Sequence, residues 1–171
     1  QDLKDLKIRA FDATSTEWVK AAGSKPVTMP WGDVYMALFT GEVDAVLTSS
    51  VSGVDGKFWE VTPYFTDLGF TFGYSAVTVN IDAWNKLPAD LKKVLTATGQ
   101  EMETKQENSA ISVDQTARAE LTKRGLKVSE ISPAFRQQCV KIAEPLWASW
   151  VKTTGAEGQT LIDEVRKATK R

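Results

Sequence analysis

Three stretches decide the fold: Lys7-Ile-Arg-Ala10, then Val27-Thr-Met-Pro-Trp-Gly-Asp33, then Val34-Tyr-Met-Ala-Leu-Phe-Thr-Gly-Glu-Val-Asp-Ala-Val-Leu47. The first follows a turn-like Asp5 and reads as a short strand that presents Arg9 at its carboxyl end. Thr14 to Ala22 reads as the next helix, with Trp18 and Ala22 one turn apart on one face and Gly23 as the stop. Val27 to Met29 is a second strand, which Pro30 discourages from extending. Asp33 to Thr40 is a helix in which Val34, Ala37 and Leu38 share a face and Gly41 closes the end. Val43 to Leu47 is a nearly continuous apolar run, as in a strand covered on both faces. This order suits one lobe of a ligand cleft, because open α/β folds place ligands at the carboxyl edge of their strands.

Arg9 stands at that edge, and its planar guanidinium fork matches a carboxylate. The alternative is an exposed arginine at a strand end, the ordinary fate of the residue type. Thr48 to Gly56 is rich in serine and glycine without an apolar period and reads as a loop beyond the third strand. Its serines could equally cap a helix running through to Phe58.

Several motifs follow one another in a recognisable sequence: Asp2-Leu-Lys-Asp-Leu-Lys-Ile-Arg9, Pro26-Val-Thr-Met-Pro-Trp31, Val34-Tyr-Met-Ala-Leu-Phe-Thr-Gly-Glu-Val-Asp44, Lys57-Phe-Trp-Glu-Val61 and Trp84-Asn-Lys-Leu-Pro-Ala-Asp-Leu-Lys-Lys-Val94. In this linked form the chain resembles the TRAP-transporter solute receptors, the DctP family, over nearly its whole length. The resemblance implies an α/β, periplasmic-binding-protein-like lobe with a mixed sheet, plus long C-terminal helices, with the first lobe missing. It divides the chain into a second-lobe ligand-binding segment (1–74), a crossover strand from Ser75 with a long bracing helix (75–125), and a return strand with C-terminal helices (126–171).

The function it implies is a receptor that captures a small organic acid outside the inner membrane and delivers it to the subunits of an ion-gradient-driven membrane permease. The expected location is periplasmic, with a signal peptide absent from this sequence. Arg9 matches the family's carboxylate-pairing arginine, and Trp31 falls where the family sets a side chain against the ligand. One departure is local. Many members continue after the aspartate matched by Asp44 with a Gly-Gln-Glu-Asn-Pro stretch, but here Thr48 occupies the asparagine position and Ser49 the proline. A hydroxyl has one donor where an amide has two, so a remodelled second contact is expected. Phe72 and Tyr74 lie in the region that crosses between lobes in the family, and the resemblance makes them further candidate ligand contacts. Their alternative is core packing. Trp31, Thr48 and these rings make a pocket less polar than one for a sugar acid, which favours a small monocarboxylate with an aromatic or aliphatic tail.

Composition excludes several other classes. The chain has 171 residues, 42% of them hydrophobic, enough for one domain with a real core. A net charge of -1 with mixed signs does not make a nucleic-acid surface. No run of roughly eighteen apolar residues is present to span a membrane. There is no histidine and a single cysteine, Cys139, so imidazole metal sites, Ser-His triads and internal disulfides are ruled out, and no cofactor is expected. An α/β enzyme would need a general base, for which Asp44, Asp55 and Asp67 are the carboxylates near predicted strand ends. Asp44 also reads as a structural turn acceptor. The third class is an interaction fragment without a ligand. Without a partner lobe, self-association of the chain is a further expectation.

Downstream, Pro88 opens a helical pattern that persists to Gly125. Lys127 to Ile131 reads as a strand, and Ser132-Pro133 as the start of a helix that Pro145 should kink, with a last helix near Thr160 to Ala168.

Overall fold

The computed structural model describes residues 3–71, 73 and 76–168. Strand β1 (Lys7–Ala10) lies at the centre of a three-stranded sheet, with β2 (Lys25–Thr28) on one side and β3 (Ala45–Val46) on the other. Both pairings are parallel, setting Arg9 opposite Val27 and Val46. Parallel neighbours need a crossover. Helices α1 (Ala13–Ala21) and α2 (Val34–Thr40) supply it.

Local chemistry places each turn. Asp12 caps α1: its Oδ1 accepts from the Ser15 backbone N–H at 2.6 Å, while Ser15 Oγ accepts from the Asp12 N–H at 3.0 Å. This reciprocal box satisfies two donors that a helix start leaves open. Gly41 closes α2 at φ 73, a left-handed value that favours glycine. The Lys7 and Asp44 backbones are tied where β3 joins β1, because Asp44 N–H donates to the Lys7 carbonyl and Asp44 Oδ2 accepts from Lys7 N–H, both at 2.8 Å. Pro26 sits within β2, where an edge strand can spare a donor.

One core lies beneath β1. Ile8, Ala10, Trp18 and Val19 are buried together, and Leu68, Phe70, Cys139, Ile142 and Leu146 pack on them. Phe70 meets Trp18 edge-on at 5.1 Å between centroids. Across the chain, Trp18 Nε1 donates to the Cys139 carbonyl at 3.3 Å. These contacts join α1 to α6 (Pro133–Ala168).

A second, two-stranded sheet pairs β4 (Tyr64–Asp67) with β5 (Lys127–Glu130), again in parallel. The connection between them carries α4 (Ile81–Lys86) and the 35-residue α5 (Ala89–Lys123). Against its carboxyl-terminal part packs α3 (Ser50–Asp55), where Gly53 faces Leu121.

The α/β lobe with long C-terminal helices is as expected, but several details differ. Every strand pairing among the described residues is parallel rather than mixed, because helices, not hairpin turns, connect the paired strands. The stretch from Thr48 to Gly56 is not all loop. Ser49 caps α3, its Oγ accepting from Ser52 N–H at 3.0 Å, so a serine does cap a helix there, but the helix ends at Asp55 and does not run through to Phe58. Residues 76–80 form no ladder and are exposed, whereas a crossover strand is expected there. The third strand is shorter than its apolar run. In α6 the break falls at Gly155 (φ 67, ψ -147), a backbone conformation glycine takes most readily, and the helix continues through Pro145.

Leu121 is fully buried and meets α3 through Gly53. Leu121→Ala should lower the free energy of unfolding by about 2 to 5 kcal/mol, read from urea denaturation as a lower midpoint at unchanged slope.

Candidate ligand-binding groove

Arg9 is carried by the middle strand, flanked by neighbours whose side chains enter the core. Its residue surface is only 8% exposed. Burial disfavours the charged form and draws the guanidinium's pKa downward. Little else compensates. Nη2 donates to the Met29 carbonyl at a long 3.4 Å, and Nε is buried with no partner. No ion pair to Arg9 occurs among the described residues. The guanidinium carbon lies 5.8 Å from the Trp31 ring centroid, within reach of a cation–π attraction.

A groove of about 1580 Å³ opens above this arginine at the carboxyl ends of β1 and β3. Arg9, Trp31, Thr48 and Ser49 line it together. Trp31 begins a short 3-10 turn (Trp31–Asp33), is 43% exposed and leans on the buried ring of Phe58 at 5.5 Å. Thr48 is half-buried. The Ser49 hydroxyl is engaged in capping α3 and donates to Ser52 Oγ at 3.0 Å. Phe72 and Tyr74 lie outside the described residues.

The opposite wall holds Asp67, already considered as a base, beside Ser50, Asp114 and Arg118, which the sequence reading did not single out. Arg118 on α5 donates from Nη1 to Asp67 Oδ2, and its Nη2 lies 2.6 Å from Asp114 Oδ2. Asp114 Oδ1 accepts from the buried Ser50 hydroxyl. The chain Ser50–Asp114–Arg118–Asp67 thus links α3, α5 and β4. Burial pulls the Asp114 carboxyl upward, but the Ser50 hydroxyl and the Arg118 guanidinium outweigh it and hold it below the usual aspartate value. Hydrogen bonding to Asp114 leads the causes that raise Arg118. Spacing of four residues between Asp114 and Arg118 was the one signal of this pair in the sequence.

Of the three carboxylates considered for a general base, Asp44 accepts the Lys7 N–H and Asp67 is paired with Arg118. Asp55 ends α3. No cluster of three or more metal-ligating side chains occurs among the described residues, and no helix there is long and apolar enough to cross a membrane.

The model of the bacterial extracellular solute-binding proteins, family 7 (DctP), matches residues 1–153. The chain belongs to this family. A solute-binding protein of Albidiferax ferrireducens is 30% identical over 162 residues, covering 93% of this chain and 47% of that one. The C4-dicarboxylate-binding periplasmic protein DctP of Shewanella loihica is 27% identical over 90% of this chain and 46% of its own. Among solved structures, a Bordetella pertussis extracytoplasmic solute receptor binding pyroglutamic acid superposes with a TM-score of 0.84 at 26% identity, covering 96% of this chain and 55% of that one. The family 7 chain therefore spans about half the length of the relatives it matches. Proteins of this family are transport receptors, and its named relatives include periplasmic ones.

The Asp114 shift fixes a sign. A carboxyl held below its ordinary value stabilises the fold above the ordinary aspartate range, about pH 4, and the contribution disappears as pH falls through the lower, folded value. Urea unfolding of this family 7 chain across an acid pH series should show stability falling in that window. In Asp114→Asn the fall should be shallower.

Proposed function

We propose that this chain is the ligand-binding half of an extracytoplasmic solute receptor that binds a small organic acid through Arg9 and passes it to a TRAP membrane permease. The observation that carries the reading is the Arg9 guanidinium, buried at the carboxyl end of the central strand with its Nε unpartnered. A buried cation without a counter-ion is costly in a fold, and a bound carboxylate would supply the missing charge and acceptors. Trp31, supported by Phe58, forms a flat wall beside it, and Thr48 and Ser49 bring hydroxyls to the same groove. Phe72 and Tyr74 complete the proposed contacts.

Relatives of this fold support the class of ligand. The Bordetella receptor binds pyroglutamic acid, and the Shewanella protein is named for C4-dicarboxylates. Work in the periplasm follows from the same reading, as does closure of two lobes on the ligand by a hinge. Exposed apolar side chains on α5, Leu91, Val94 and Leu95 among them, offer a surface through which a chain of this length would self-associate.

Calorimetric titration with pyroglutamate, succinate, orotate and glucuronate tests the reading. At least one acid should bind, and Arg9→Ala should weaken it roughly a hundredfold or more, the equivalent of about 3 to 5 kcal/mol. Unchanged affinity in Arg9→Ala would remove Arg9 as the anchor. For Trp31→Ala, loss of the ring wall should weaken the same acid by about 1 kcal/mol or more while leaving thermal unfolding nearly unchanged, because the indole is half exposed.

A further inference from the structure

Two arginines face the groove, and counted by composition they would suit an acid with two carboxylates. Their surroundings differ. Arg118 has one Nη on Asp67 and the other on Asp114, while Arg9 has no ion pair among the described residues and only a long Nη2 bond to the Met29 carbonyl. Among the described residues, the ionised groups lining the groove are Arg9, Arg118, Asp44, Asp67 and Asp114, two cations against three carboxylates. Asp44 is already the acceptor for a backbone N–H. A first carboxylate on Arg9 therefore meets the one available cation, and a second would enter a groove that is negative on balance.

Resting on the carboxylate reading of Arg9, we infer that Asp67 and Asp114 are specificity-determining residues: by occupying Arg118 they restrict the site to acids bearing a single carboxylate and exclude dicarboxylates. The selection is repulsive. An uncharged amide in place of the second carboxylate fits the same space without opposing Asp67 or Asp114, and its N–H groups can donate to them. The Ser50 hydroxyl holds Asp114 in position from α3, so the wall is fixed before the ligand arrives. Thr48 and Ser49 stand in the chain directly before Ser50, which sets the hydroxyl side of the groove and the acidic side in one rigid relation.

Matched acids decide the matter, because each pair differs in one group: succinamate with succinate, glutaramate with glutarate, and phthalamate with phthalate, titrated calorimetrically into the purified protein at neutral pH. In at least one pair the monoamide should bind about tenfold tighter or more than the diacid. The double variant Asp67→Asn with Asp114→Asn frees Arg118 and reverses the balance of charge, so diacid affinity should rise by about tenfold or more and the gap should close. Glu101→Gln removes one negative charge on the exposed part of α5, where it is paired with Lys105, and should leave the preference intact.

Equal or tighter binding of the diacids by the unaltered protein would overturn the selection while leaving Arg9 as a carboxylate anchor. A gap that persists in a folded double variant would place the selection elsewhere and also overturn it. If the double variant fails to melt cooperatively, the comparison on the unaltered protein decides alone. Binding of neither member of any pair, nor of the acids in the wider panel, would defeat the carboxylate reading together with this one.

Discussion

The structure depends on the position of β1 between two parallel neighbours. A strand in the middle of a parallel sheet has its backbone donors and acceptors taken on both sides, and α1 and α2 follow from the need to cross back. Ile8 and Ala10 are buried in the core below the sheet, which leaves the residue between them directed the other way. That residue is Arg9. Its burial is thus a consequence of the sheet and not of any counter-ion, and the guanidinium is desolvated before a ligand is present. The groove owes its chemical character to this order of causes.

The long helix α5 is attached to the lobe by two kinds of contact. Leu121 packs on Gly53 through apolar area, and Asp114 and Arg118 bind Ser50 and Asp67 through charge and hydrogen bonds. The polar links are directional, so they set the rotation of α5 about its axis where apolar packing alone would tolerate some slack. They line the groove together with Leu121, whose side chain is fully buried. Movement of the α5 wall would therefore have to break the Ser50–Asp114 hydrogen bond to α3 or the Arg118–Asp67 ion pair to β4. This makes the wall a fixed template, against which the exposed indole of Trp31 is the more adaptable surface.

Local signals were legible in the sequence and long-range ones were not. The strand at Lys7, the helix closed by Gly41 and the start of α6 after Ser132 each rest on a few neighbouring residues whose chemistry is unambiguous. Arg9 could be placed at the carboxyl end of its strand for the same reason. The six residues of α3 show no period, because so short a helix is held by Leu121 and by the Ser49 cap rather than by its own propensity. Pro145 looked like the break in α6, yet losing one donor is tolerated there, and the chain turns instead where Gly155 permits the backbone angles. The pairing of Arg118 with Asp67 spans 51 residues, a separation over which no pattern in one sequence points from one partner to the other. Asp114 and Arg118 stood at helical spacing, but spacing alone does not say that their face of α5 looks into the groove.

Arg9 and Arg118 show why residue type cannot assign function in such a groove. Each guanidinium has five N–H donors and a fixed positive charge, and each has a buried Nε without a partner. For Arg118 the terminal nitrogens are taken by two carboxylates, so its pKa is raised and its charge serves to hold α5 in place. For Arg9 burial without an ion pair lowers the pKa, and in the function we propose the free energy lost in desolvating the group is recovered when an anion docks. A fold that keeps such a cation sacrifices stability in the empty state, and the sacrifice becomes affinity when a carboxylate docks. The two acidic residues that satisfy Arg118 line the same groove as Arg9, so in the selection we infer the contacts that hold α5 in place would also choose what enters.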